Sequence, residues 1–144
     1  MKISPVSEHR CHLGEGPLWD AASEALYWVD SLGPRLFRFD FHTQRTSLWQ
    51  LPGRSVGSLA VREQEGLVLA MDQGFYGFSQ ETGAAELIEQ PLAGRDGIRF
   101  NDGKVDPFGS FVAGGMNIDP ERKEDCPMFR LSPELEVTQL LDGF

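Results

Sequence analysis

Short β-rich runs recur along this chain, and almost no stretch shows helical periodicity. Turns rich in Gly, Pro, Asp and Ser separate one run from the next. The runs fall into sets of four, at residues 18–20, 25–30, 36–40 and 46–51, then 58–61, 66–71, 75–78 and 85–88, then 103–106, 110–114, 128–131 and 137–141. The pattern therefore predicts an all-β protein built from three four-stranded units.

The units repeat at a nearly constant spacing. Trp19 matches Ala60 and then Val105, so the period is 41 and then 45 residues. Four antiparallel strands per repeat of this length are typical of a β-propeller blade. We expect blades over about 14–53, 54–98 and 99–144 of one domain that occupies residues 1–144. Residues 4–13 are strand-like, and in propellers such a leading segment often completes the last blade and closes the ring.

Composition narrows the class of protein. Hydrophobic residues make up 40% and charged residues 24%, which is ordinary for a globular domain with its own core. A formal net charge of -9 repels phosphate backbones, so we expect no nucleic-acid partner. No apolar run has the length of a signal peptide or a membrane span, which predicts a cytoplasmic protein without membrane association. Cys11 and Cys126 are too few for a disulfide framework; pairing stays open, but separate thiols are the expectation.

One polar stretch stands out from the repeats. Residues 99–106 read RFNDGKVD, with charged and amide side chains and little apolar bulk. Such a segment contributes little to a core, so its polar groups are expected to meet solvent, an ion or a ligand. Asn-Asp-Gly is also a favourable turn sequence. The stretch alone leaves both interpretations open.

The repeat register links this stretch to the first unit. Glu15 lies four residues before Trp19, Val56 lies four before the matching position, and Asn101 lies four before Val105. Positions just ahead of the innermost strand of each blade converge on the central channel of a propeller. A carboxylate and an amide carbonyl there are hard oxygen ligands, suited to Ca²⁺, Mg²⁺ or Mn²⁺ and acceptable to Zn²⁺. The alternative is that both residues cap turns at the channel mouth, and the register does not separate the two.

Two long motifs resemble a known family. Residues 13–19 (LGEGPLW), followed by residues 26–30 (LYWVD), are similar to the opening of the senescence marker protein, gluconolactonase and luciferin-regenerating enzyme family. Residues 99–107, with Gly109 and the run 113–116 (AGGM), resemble its most distinctive signature. The resemblance covers essentially the whole chain. It implies a six-bladed β-propeller, of which this chain would be the N-terminal half.

The resemblance also implies an activity, a cofactor and residue roles. Many members of the family hydrolyse sugar lactones with one divalent metal ion, such as Ca, Zn, Mn or Mg, in the central channel. Glu15 would be a direct metal ligand, and Asn101 would lie beside the metal and contact substrate or a metal-bound water. Arg99 would reach the hydroxyl groups of the substrate. Asp119 falls near an acidic position that contacts substrate in some relatives.

The chain departs from the family in length. It stops at Phe144, where a fourth blade should begin, so the remaining metal ligands and the general-base Asp are expected beyond that residue. Three consecutive blades form an open arc whose two end blades would expose broad apolar faces. The chain is therefore expected to be a fragment or truncated product, to pair with a second chain, or to close a six-bladed ring with a second copy. A metal-dependent lactonase and a non-catalytic calcium-binding or protein-interaction module both remain open.

Overall fold

Three antiparallel sheets contain all the strands of the described residues. The computed structural model describes residues 3–122 and 125–143 of the 144-residue chain. The first sheet contains β1 (Gly14–Asp20), β2 (Ala25–Asp30), β3 (Arg35–Asp40) and β4 (Arg45–Gln50). The second contains β5 (Val56–Val61), β6 (Leu67–Met71), β7 (Gly74–Phe78) and β8 (Ala85–Glu89). The third contains β9 (Ile98–Val105), β10 (Phe111–Asn117), β11 (Met128–Leu131) and β12 (Val137–Leu141).

In each sheet, strands that are consecutive along the chain are also neighbours in space. The orders are β1-β2-β3-β4, β5-β6-β7-β8 and β9-β10-β11-β12, all antiparallel. The predicted all-β class and the three four-stranded units are confirmed. The largest difference in strand bounds is in β9, which begins at Ile98 rather than at Gly103, because the polar motif continues the strand across a bulge. The described residues contain no helix that could cross a bilayer.

Aspartates build the first and third of the three hairpin turns of the first sheet. The carboxylate of Asp20 accepts a hydrogen bond from the N–H of Ala22 at 3.0 Å. Asp40 likewise accepts one from the N–H of Thr43 at 2.8 Å. Aspartate favours turns because its short side chain reaches the N–H groups that follow it. These local bonds explain why the strand spacing could be predicted from the sequence.

The core consists of two apolar layers between neighbouring sheets. The layer between the first and second sheets is formed by buried residues that include Ala25, Tyr27, Val29, Leu36, Leu59, Leu67, Leu69 and Met71. The layer between the second and third sheets includes Ala60, Val68, Ala70, Phe75, Phe100, Phe111, Ala113 and Phe129. The second sheet is thus covered on both faces. For that reason β6 is buried along its whole length and shows no polar alternation.

Residues 3–13 lie against the outer face of the first sheet. Leu36 packs toward the second sheet, so its neighbour Phe37 points to the opposite face. Phe37 is nevertheless fully buried. Its ring stacks on the ring of Trp28, with 5.0 Å between the ring centroids. The ring of His9 packs against it as well, with 5.6 Å between the ring centroids. The leading segment therefore supplies part of the cover that a neighbouring blade would otherwise provide.

This cover changes the expectation that the first sheet, as an end blade, exposes a broad apolar face. The first sheet does not expose its whole outer face, because residues 3–13 shield one part of it. Trp19 and Phe41, further along the same sheet, are 50% and 56% exposed. An apolar end face is therefore present only in part. Residues 4–13 form no strand here, and their role in closing a ring stays a prediction.

Asp30 anchors the leading segment to the sheet. Its carboxylate is completely buried at the end of β2. It accepts hydrogen bonds from the N–H groups of His12 and Leu13, each at 3.0 Å, and from the guanidinium of Arg35. Arg35 also donates to the carbonyl oxygen of Arg10 at 2.9 Å. One buried carboxylate thus joins the incoming chain to the edge of the first sheet.

Candidate functional site

The first strands of the three sheets lie side by side, with β5 in the middle. A Cβ atom placed on Gly57 would clash with the backbone of β9, because it would lie 2.8 Å from the carbonyl oxygen of Phe100. A Cβ atom placed on Gly16 of β1 would lie 4.0 Å from the carbonyl oxygen of Gly57. The ends of the strands that carry Glu15 and Asn101 therefore meet on either side of Gly57. Both of these predicted residues are exposed there.

Each first strand has a bulge at this end. The register of the ladder shifts between Glu15 and Leu18, between Val56 and Ser58, and between Phe100 and Gly103. A bulge leaves extra residues unpaired and re-aims their side chains, which is why bulges are common next to functional sites. The polar side chains of this region are thus presented by three bulges at one end of three adjacent strands.

The predicted match of Trp19 with Val105 agrees with the hairpin ends. Asp20 forms the last pair of its ladder, and Asp106 holds the corresponding step, since its N–H donates to the carbonyl oxygen of Ser110 at 2.8 Å. Each aspartate also accepts a hydrogen bond from the N–H two residues further on. Counted back from these two aspartates, Glu15 and Asn101 hold the same position, and Asn101 lies inside the bulge of β9.

Arg99 lies within electrostatic range of Glu15. Its side chain is half-buried, and this burial lowers the pKa of the guanidinium. The negative charges of Asp72 and Glu15 act on it in the opposite sense, so both carboxylates lie within electrostatic range. An arginine stays protonated through such a shift. The guanidinium also donates to the carbonyl oxygen of Phe100 at 2.8 Å. The structure thus brings two of the predicted site residues, Arg99 and Glu15, into one neighbourhood.

Asp72 is a residue of this neighbourhood that the sequence analysis missed. It follows β6 and accepts hydrogen bonds from the N–H of Ser55 at 2.8 Å and from its hydroxyl at 2.9 Å. The N–H of Arg54 donates to the other carboxylate oxygen at 3.0 Å. Asp30 holds the leading segment of the first sheet in the same manner. The signal that could have revealed Asp72 is this recurrence of Asp at the end of the second strand of a unit.

Asp119 lies in the loop after β10. It is exposed, and its carboxylate accepts a hydrogen bond from the N–H of Glu121 at 2.9 Å. The preceding residue, Ile118, donates its N–H to the carbonyl oxygen of Gly97 at 2.8 Å, which ties the loop to the start of β9. The structure therefore places Asp119 in a local turn near the site end of the third sheet. Its contact with substrate stays a prediction.

The oxygen ligands that these residues offer suit a divalent cation but are few. Glu15 offers a carboxylate and Asn101 an amide oxygen, which are the hard ligands that Ca²⁺ and Mg²⁺ prefer. Within residues 3–122 and 125–143, no three His, Cys, Asp or Glu side chains are grouped so as to hold a metal ion. The chemistry of the two residues fits a metal, and a full coordination sphere would need ligands in addition to them.

Gly57→Ala is expected to destabilise the protein by about 1–3 kcal/mol, since a methyl group there overpacks the contact with β9. Backbone atoms of Phe100 and Asn101 would have to move, so the site would be displaced as well. Gly77→Ala is the matched control, because an added Cβ there meets nothing within 4 Å. Urea denaturation of both variants measures the effect. Equal stability of the two variants would contradict the close packing of β5 and β9.

The fold and the site together define a class of protein. Between sheets the closest packing involves the first strands, so the three sheets are arranged as consecutive blades of a β-propeller with a polar cluster at one end of the innermost strands. The chain belongs to a known family of such proteins: the sequence model of the SMP-30/Gluconolactonase/LRE-like region matches residues 13–144. The resemblance inferred from the two motifs is confirmed.

Individual relatives agree with this assignment. The chain is 39% identical to a 6-deoxy-6-sulfogluconolactonase of Pseudomonas putida, over 85% of this chain and 41% of that protein. It is 33% identical to regucalcin of Xenopus laevis, over 99% of this chain and 48% of that protein. The crystal structure of a calcium-binding protein, regucalcin, from Agrobacterium tumefaciens superimposes with a TM-score of 0.85 at 25% identity, covering 96% of this chain and 46% of that one. The chain spans about half the length of the relatives it matches.

Proposed function

We propose that this chain takes part in the metal-dependent hydrolysis of a sugar lactone. The observation that carries the proposal is that Glu15 and Asn101 are exposed at the bulged ends of first strands that pack on either side of Gly57, with Arg99 within electrostatic range of Glu15. Relatives named as a sulfogluconolactonase and as regucalcins support it. In this proposal the 144 residues supply one part of the site, and further blades supply the rest.

Each residue has a distinct role in the proposal. Glu15 and Asn101 hold a divalent cation through oxygen atoms. When bound, such a cation polarises the lactone carbonyl and stabilises the negative charge that develops as water adds. Arg99 donates hydrogen bonds to the hydroxyl groups of the sugar, and its partial burial strengthens them by excluding water. The carboxylate that takes the proton from the attacking water is expected outside these residues.

Metal titration beside a hydrolysis assay tests the proposal. Isothermal titration with Ca²⁺, Mg²⁺, Mn²⁺ and Zn²⁺ on the 144-residue chain should show binding of at least one cation, and Glu15→Gln should weaken it strongly because one ligand charge is lost. Gluconolactone hydrolysis is measured on the same samples, and the native mass of the chain shows whether a second copy completes the ring. Metal binding that is unchanged in Glu15→Gln, or absent in the unmodified chain, would contradict the proposal.

A non-catalytic, calcium-binding module is the second candidate. It is favoured by the structural similarity to a protein described as calcium-binding. The same two measurements separate the candidates. Glu15-dependent metal binding without lactone turnover supports the module, whereas turnover in the presence of metal supports the enzyme.

Arg99→Ala is expected to raise KM by about tenfold or more and to change kcat little, because the hydrogen bonds to sugar hydroxyls are lost in the ground state and the transition state alike. The measurement uses an assembly that hydrolyses lactone. Arg45→Ala serves as the control, since Arg45 is exposed on the outer strand β4 and carries the same charge. An unchanged KM with a collapsed kcat would assign Arg99 to the chemical step instead.

A further inference from the structure

A small cavity opens beside Arg99 at the site end of the second and third sheets. Its volume is about 170 Å³, and its lining includes Arg54, Asp72 and Arg99 together with three aliphatic side chains, Leu32, Ile98 and Ile118. Polar and apolar walls of this kind are typical of pockets that bind one end of a small molecule. Arg99 lies within electrostatic range of Glu15 as well, so the cavity adjoins the proposed metal ligand.

The charges that line the cavity do not cancel. Two arginines, Arg54 and Arg99, line it together with a single acidic residue, Asp72. Asp72 already accepts hydrogen bonds from the backbone of Arg54 and from Ser55. These bonds satisfy much of its capacity as an acceptor.

The side chain of Arg54 is available for a ligand. It is exposed, and within residues 3–122 and 125–143 its guanidinium has no ion pair or hydrogen bond. The backbone on which it stands is fixed, since the N–H of Arg54 donates to both carboxylate oxygens of Asp72, at 3.0 and 3.2 Å. A net charge of -9 for the whole chain makes this cationic pocket a local exception. An anchored backbone with a free guanidinium is well suited to binding an anion.

We propose that Arg54 is a specificity-determining residue that binds an anionic substituent of the sugar, such as a carboxylate, phosphate or sulfonate. The inference depends on the proposed lactonase function, because it assigns the substrate class of the same site. Arg99 holds the sugar hydroxyls, and Arg54 binds the anionic group at the far end of the molecule. Guanidinium groups bind such groups through two parallel hydrogen bonds.

Binding of two sugars that are not hydrolysed tests the inference on the full chain. The probes are glucose and glucose phosphorylated on its terminal carbon, titrated calorimetrically at low ionic strength. The phosphorylated sugar is expected to bind about tenfold more tightly or better, which is the gain typical of charge-assisted hydrogen bonds. Arg54→Ala should abolish this difference. Arg54→Lys should keep part of it, because the charge remains and the two-pronged geometry is lost.

The control is Arg45→Ala, which removes one positive charge far from the cavity and should keep the full difference. Equal affinity of the unmodified chain for the two sugars, or no binding of either, would overturn the inference. An equal loss in Arg45→Ala would also overturn it, since the effect would then be one of net charge. Inorganic phosphate that binds as tightly as the phosphorylated sugar would overturn it too, since the site would then bind an anion without recognising the sugar. The proposed function is tested separately through Glu15 and metal, so the failure of either is distinguishable from that of the other.

Discussion

Glu15→Ala is expected to abolish metal-dependent lactonase activity in any complete assembly that contains this chain, by several orders of magnitude. The carboxylate of Glu15 is the only charged ligand that we assign to the metal from these residues, and it is exposed at the meeting point of the first strands. Loss of that charge would leave the amide oxygen of Asn101, which binds a hard cation weakly without a carboxylate. The rate at a fixed, limiting metal concentration measures the effect.

Two further variants identify the cause of the loss. Glu15→Gln keeps the size and the hydrogen-bonding capacity of the side chain but removes its charge, so it should behave like Glu15→Ala. Glu63→Gln is the control, because Glu63 is exposed beyond the opposite end of β5. It should retain full activity and metal affinity. Full activity of Glu15→Ala at limiting metal would refute the assignment of Glu15.

Asp30→Ala is expected to lower the free energy of unfolding by about 3–5 kcal/mol, the usual cost of breaking a buried ion pair by removal of one partner. Arg35 would lose its carboxylate, and the N–H groups of His12, Leu13 and Gly33 would lose their acceptor. Residues 3–13 should then detach from the sheet first. Urea denaturation measures the stability, and limited proteolysis detects the exposed leading segment.

The contribution of Asp30 should depend on pH in a defined direction. Burial raises the pKa of this carboxyl, but the hydrogen bonds from Arg35 and from the N–H groups of Leu13, His12 and Gly33 outweigh it and hold the pKa well below its usual range. The folded protein therefore keeps Asp30 ionised where the unfolded chain binds a proton. The stabilisation is fully present above about pH 4, the usual pKa of aspartate, and is lost progressively as the pH falls further.

The stability difference between the unmodified chain and Asp30→Asn should accordingly shrink in acid. Asp20→Ala is the control, because Asp20 holds an exposed turn by accepting hydrogen bonds from the N–H of Ala22 and the hydroxyl of Ser23. Its effect should be about 1 kcal/mol or less. A difference for Asp30→Asn that stays constant from neutral pH into acid would show that the carboxylate charge does not stabilise the fold.

The candidate site was predictable in its residue types but not in its geometry. The hard oxygen donors Glu15 and Asn101 and the cation Arg99 could be singled out from motifs and repeats. Their distances from one another could not, because Glu15 stands on a strand of a different sheet from Arg99 and Asn101, and the packing of sheets leaves no mark on hydrophobic spacing. Arg54 and its cavity were missed altogether, since nothing in the neighbouring sequence distinguishes this arginine from any other exposed one.

The sequence by itself determined the twelve strands and their grouping, because hairpins between consecutive strands depend on alternation and on turn residues such as Asp20 and Asp40. Only the tertiary structure decided which residues of different sheets meet. Glu15 and Arg99 come from separate blades, and their proximity depends on how closely β1, β5 and β9 pack around Gly57. Hydrogen bonds within a hairpin are set by residues a few positions apart, whereas the packing of blades depends on the fit of whole apolar faces, and a site built between blades is specified only by that fit.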